Sequence, residues 1–70
     1  MNKINIAVVG LGYVGLSNAV MLAQKNSVTA VDIDIDKVNL INIRKSPLVD
    51  QQMDNFLSNE ILDLKATPSL

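Results

Sequence analysis

The apolar run Ile4-Asn5-Ile6-Ala7-Val8-Val9 stops abruptly at Gly10-Leu11-Gly12-Tyr13-Val14-Gly15. Few folds accept that order. A strand ended by glycines at this spacing, with a helical pattern after it, makes a tight strand-to-helix turn. The first amides of a helix lack partners inside it, and the helix dipole adds partial positive charge there. Such a turn therefore suits a diphosphate. Asp32 stands seventeen residues beyond Gly15, at the end of a second apolar run. That distance suits a carboxylate reaching the ribose hydroxyls of an adenine dinucleotide.

The rest of the chain alternates strand and helix patterns. Residues 3–9 are expected to form a buried strand. Residues 13–25 are expected to form a helix whose inner face carries Gly15, Ala19, Leu22 and Ala23. After a turn at Asn26-Ser27, residues 28–33 read as a second strand. Residues 34–45 read as a second helix, with Asp34 or Asp36 serving its first turn, Val38 and Ile41 inward, and Arg44 and Lys45 near its negative end. Ser46-Pro47-Leu48 stops that helix. Residues 50–59 give a short third helix with Met53, Phe56 and Leu57 on one side, Met53 and Phe56 being expected in the core. In residues 61–67, Leu62, Leu64 and Ala66 alternate with Asp63 and Lys65, as suits a strand at a sheet's rim.

With right-handed crossovers this order gives an α/β protein: a Rossmann-like three-layer fold whose parallel sheet runs 3-2-1. That is the first half of a doubly wound dinucleotide-binding domain. Residues 1–70 are thus expected to be the N-terminal part of an NAD-binding domain within a longer protein. The first strand's free side is an association-prone edge, which makes a homo-oligomer a reasonable expectation.

Each residue of the turn has an expected part in cofactor binding. Gly10 permits the bend, Gly12 lets a pyrophosphate approach the backbone, and Gly15 allows close helix–sheet contact. Tyr13 and Val14 offer amides near the phosphates, with Leu11 between the first two glycines completing the cradle. Asp32 has a plainer alternative as a cap for the second helix. If it bonds the ribose diol, its charge repels a 2′-phosphate, which favours NAD over NADP. Lys37 reads equally as a group at the adenosine end or as a solvated lysine. Asp32, Asp34 and Asp36 read as capping and dipole groups rather than metal ligands.

Composition limits the chemistry. The chain has no cysteine and no histidine, which removes disulfides, the usual zinc sites, thiol nucleophiles and imidazole bases. No residue is assigned a catalytic step. A net charge of −1 gives no argument for nucleic acid or a membrane surface, and a cytoplasmic setting is expected.

The stretch Ile6-Ala7-Val8-Val9-Gly10-Leu11-Gly12-Tyr13-Val14-Gly15-Leu16-Ser17 resembles the amino-terminal signature of the UDP-glucose/GDP-mannose dehydrogenase family, in which GxGYVGL is typical. The likeness continues through Val31-Asp32-Ile33-Asp34, Lys37-Val38, Ile41-Asn42, Ser46-Pro47-Leu48 and Lys65-Ala66-Thr67. It is nearest to the bacterial members that oxidise UDP-glucose. The resemblance implies oxidation of a nucleotide sugar's 6-hydroxymethyl group to a carboxylate with two NAD per turnover. It places the pyrophosphate on the glycine turn, the adenosine ribose at Asp32, and Lys37 near the same end. The cysteine that such catalysis uses, and the sugar pocket, would lie in downstream domains. Many members carry glycine before the Ser-Pro element, where this chain has Arg44-Lys45. A related enzyme for GDP-mannose or a UDP-N-acetylhexosamine is the alternative within this class, and a non-catalytic nucleotide-binding module is the alternative outside it.

Overall fold

The structure, a computed structural model, describes residues 3–47 and 51–69. The second helix, expected over residues 34–45 with a stop at Ser46-Pro47, ends at Asn42, before the left-handed Arg44, while Leu48 and the expected helix start at Asp50 lie outside the described residues. Six elements follow in order: β1 (Asn5–Val9), α1 (Tyr13–Ala23), β2 (Ser27–Val31), α2 (Ile35–Asn42), α3 (Gln51–Asn59) and β3 (Leu64–Thr67). The strands form one parallel sheet in the order β1-β2-β3, with Val9 opposite Val31 and Val31 opposite Thr67. This is the expected 3-2-1 arrangement.

One face of the sheet carries the core. Val28, Ala30, Leu64 and Ala66 are buried there, with Ile6 and Val8 packed against them. The helices contribute Leu16, Ala19, Val20, Ala23, Val38, Ile41 and Leu57 to the same cluster. On the other face, Asn5, Ala7, Val9 and Lys65 are exposed, and Thr29 and Thr67 are half-buried. The described residues thus supply the sheet and the helical layer on one of its faces.

Several boundaries are narrower than the sequence pattern suggests. β2 ends at Val31, leaving Ile33 92% exposed, and β3 begins at Leu64, leaving Ile61 97% exposed. β-branched residues favour strands, but pairing partners set where a ladder ends. β1, expected to be buried, is exposed at Asn5, Ala7 and Val9, which lie on the face of the sheet away from the helices, while Ile6 and Val8 pack on the core. α1 stops at Ala23, where the Asn26 side-chain amide donates to the Leu22 carbonyl, and the inner face centres on Leu16 and Val20 rather than Gly15 and Leu22. Met53 and Phe56 are half-buried. With Tyr13, Ser17 and Met21 they line a groove of about 320 Å³ between α1 and α3.

The end of α2 holds the least expected feature. Arg44 has φ 64°, the left-handed conformation that usually falls to glycine just past a helix. Its guanidinium compensates by donating to the carbonyls of Ile41 (3.1 Å), Leu62 (3.3 Å) and Leu64 (2.8 Å). Asn42 completes the tie. Its side-chain amide donates to the Ala66 carbonyl at 3.0 Å, and its oxygen accepts from the Ala66 amide at 2.8 Å, as a neighbouring strand would. The outer edge of β3 is therefore closed by side chains, while that of β1 stays open.

Arg44→Ala removes three hydrogen bonds and keeps the left-handed strain, so it is expected to destabilise the fold by about 1–3 kcal/mol. Arg44→Gly loses the same bonds but relieves the backbone by roughly 1 kcal/mol. Urea denaturation midpoints should therefore rank the parent above the glycine variant, and the glycine variant above the alanine one.

Candidate functional site

The turn between β1 and α1 is fixed from below. Gly10 adopts φ 93°, and its amide donates to the Val31 carbonyl at 2.7 Å. Only glycine takes that conformation without strain. The Leu11 side chain is fully buried in the core, and the Leu11 amide donates to Asp32 Oδ2 at 2.8 Å. Leu11 thus anchors the turn, its amide already held by Asp32.

Above that anchor the backbone opens. Gly12 is the N-cap of α1, in extended conformation and with no side-chain hydrogen bond. The first helical bond runs from the Leu16 amide to the Gly12 carbonyl at 2.9 Å. Among the described residues, nothing accepts from the amides of Gly12, Tyr13, Val14 or Gly15. A Cβ on Gly12 would meet no atom within 4 Å, so the space beside Gly12 is open, and Gly12, Tyr13 and Val14 are exposed. Gly15 is the reverse case: a Cβ there would lie 1.9 Å from the Gly10 carbonyl oxygen. That close approach brings the helix start down onto the strand end.

Asp32 follows β2 directly and is half-buried. Its Oδ1 accepts from the Asp34 amide at 2.8 Å, while Oδ2 holds Leu11. The Asp34 amide, the Leu11 amide and the charge of Lys37 hold its carboxyl below the usual carboxylate range, against a small opposing effect of burial. The cap of α2 is Asp34, whose Oδ1 accepts from the amides of Asp36 and Lys37. The capping alternative for Asp32 therefore falls to its neighbour. Lys37 stands in the first turn of α2, half-buried. The structure brings the glycine turn, Asp32 and Lys37 to one end of the sheet.

At the opposite end of the sheet, Asp63 accepts from the Ser27 hydroxyl and pairs with Lys3 at 3.1 Å. These two partners lower its pKa, with the hydroxyl the larger cause. No simple pattern in the sequence flags this group, whose members lie up to 60 residues apart. It is remote from the turn and is structural in character.

Comparison with known proteins assigns this geometry. Residues 4–69 match the model of the UDP-glucose/GDP-mannose dehydrogenase family, NAD binding domain. The chain belongs to that family. It is 48% identical over 62 residues to UDP-glucose 6-dehydrogenase of Streptococcus pneumoniae, covering 89% of this chain and 16% of that protein. It is 40% identical over 67 residues to UDP-glucose 6-dehydrogenase of Campylobacter jejuni, covering 93% and 17%. An uncharacterized protein of Methanocaldococcus jannaschii is 40% identical over 58 residues, which is 81% of this chain and 6% of that one. The chain thus spans about a sixth of the length of the two dehydrogenases. Among the described residues, no helix is long and apolar enough to cross a membrane.

In this family member, Gly15→Ala forces a side chain against the Gly10 carbonyl, and the expected loss of stability is about 1–3 kcal/mol or more. Chemical denaturation should show it, together with shifted amide resonances from Gly10 to Gly15. The two lowered carboxyls set the pH response. Their folded pKa values lie below the unfolded value of about 4. Their contribution is therefore complete above that value and is lost as pH falls through the folded pKa values. Urea midpoints should stay level from neutral pH down to about 5 and decline below about 4.

Proposed function

We propose that this chain is the NAD-holding front of a UDP-glucose 6-dehydrogenase, which oxidises UDP-glucose to UDP-glucuronate. The observation that carries the reading is the set of amides at Gly12, Tyr13, Val14 and Gly15 with no acceptor among the described residues, next in sequence to Leu11, whose amide is held by the Asp32 carboxylate. The names of the relatives support the choice of sugar nucleotide.

The residues present fit the coenzyme. Four donors without an acceptor at a helix start are suited to the charge of a pyrophosphate. Asp32 has spent one lone pair of each oxygen on a backbone amide and keeps others for the ribose diol. A 2′-phosphate there would meet its negative charge, which selects NAD against NADP. Lys37 adds positive charge at the adenosine end, and exposed Ile33 beside Asp32 offers an apolar surface to the adenine ring. NAD, when bound, supplies the hydride acceptor.

The chain's own part is binding and orientation. With neither cysteine nor histidine in its sequence, it is given no proton-transfer or nucleophilic role. The sugar nucleotide and the catalytic side chains belong to further domains of the whole protein. A reducing compartment such as the cytoplasm suits a chain without cysteine.

Isothermal titration of the chain with NAD and NADP tests the binding half. NAD is expected to bind more tightly. Asp32→Ala should weaken NAD by roughly tenfold or more, the worth of hydrogen bonds to a charged group, and narrow the gap to NADP. Equal affinities in the parent would overturn the assignment of Asp32. The substrate half is tested by NAD reduction in the complete protein, where UDP-glucose should outpace GDP-mannose and UDP-N-acetylglucosamine. Faster turnover of either competitor would transfer the activity to that sugar.

A further inference from the structure

The geometry points to a second task for Asp32: through Leu11 it positions the phosphate-binding turn itself, apart from any contact with ribose. This deepens the dinucleotide reading and rests on it for its functional meaning. The argument begins with direction. Six consecutive amides run from Gly10 to Gly15, and two of them turn inward. Gly10 donates to Val31, and Leu11 donates to Asp32 Oδ2 at 2.8 Å, across 21 residues of sequence. The next four have no acceptor among the described residues, and the first three of those residues are exposed. The change occurs at Gly12, so whatever holds Leu11 sets the point where the chain begins to present donors.

Asp32 is well placed for that duty. Its backbone amide is tied to the Thr67 carbonyl at 3.2 Å, and its second oxygen is held by the Asp34 amide at 2.8 Å. The carboxylate is therefore fixed at both ends before any ligand arrives. On the turn's side, the fully buried Leu11 side chain prevents the residue from swinging out to follow its amide. A clasp made of one ionic hydrogen bond and one buried leucine leaves the four outer amides preorganised, which lowers the cost of ordering them around an anion. Charge alone acts oppositely, since a carboxylate near a phosphate site repels the ligand. The two effects differ in sign and can be separated.

Inorganic pyrophosphate is the probe, because it has no ribose. Asp32→Asn removes the charge but keeps one acceptor oxygen. That oxygen goes to the partly buried Leu11 amide, the costlier of the two to leave unpaired. Asp32→Ala removes both charge and acceptor. Amide hydrogen exchange of the 70-residue chain is expected to show Leu11 exchanging about tenfold or more faster in Asp32→Ala than in the parent or in Asp32→Asn, with Val28 and Ala30 still protected. Pyrophosphate should bind Asp32→Asn more tightly than the parent, and Asp32→Ala about tenfold more weakly than Asp32→Asn. Unchanged Leu11 exchange in Asp32→Ala, or equal pyrophosphate affinity in the two variants, overturns the proposal.

Should Asp32→Ala also lose protection at Val28 and Ala30, the parent decides. Its Leu11 amide resonance should move as Asp32 takes up a proton, at a pH below the ordinary carboxylate range, with Lys37 and Asp34 the charged groups beside it. A stationary resonance rejects the clasp. Failure of the parent to bind either NAD or pyrophosphate counts against the dinucleotide reading, whereas Leu11 exchange still judges the clasp by itself.

Discussion

Parallel pairing of β1 with β2 in a single register governs the geometry of this chain. With Val9 opposite Val31, the residue after each strand meets its counterpart at the same level, so Gly10 reaches the Val31 carbonyl and Leu11 reaches Asp32. A slip of one residue would turn Val28 and Ala30 away from the helices and carry Asp32 out of reach of the turn. Core and site thus depend on the same alignment. The apolar contacts of β2 lock the register, and the register in turn places the only carboxylate that touches the turn among the described residues.

Close contact at the helix start is the second determinant. Gly15 lies so near the Gly10 carbonyl that no side chain fits, and this draws α1 onto the sheet with Leu16, Ala19, Val20 and Ala23 beneath it. Small residues on that face shorten the helix–sheet distance, and the two buried alanines add no rotamer cost. The same contact leaves the first-turn amides facing outward at the rim.

Much of this was legible because it rests on local requirements. Glycines at 10, 12 and 15 announce a backbone that larger residues cannot follow, and Asp34 announces a helix start by its short acceptor side chain. What stayed hidden depends on partners distant in sequence. Nothing about Asp32 as a residue type says that its carboxylate holds an amide 21 positions earlier. Arg44 was concealed for a different reason: arginine is not a left-handed residue, and its bonds to the carbonyls of Ile41, Leu62 and Leu64 offset the conformation. Ile33 and Ile61 misled in the opposite sense, since their strand-like chemistry stands outside any ladder. Met53 and Phe56, with the spacing of core residues, do pack against the core, but from its border, where they also line the groove between α1 and α3.

The unequal borders of the sheet have a bearing on self-association. Along β3, the outward carbonyls of Leu62, Leu64 and Ala66 and the amide of Ala66 are all occupied by Asn42 and Arg44. An approaching strand meets occupied groups there, whereas the outer border of β1 has no ladder partner among the described residues. Addition of a strand at the β3 border is thereby hindered by side chains alone, with no further element needed to cover it.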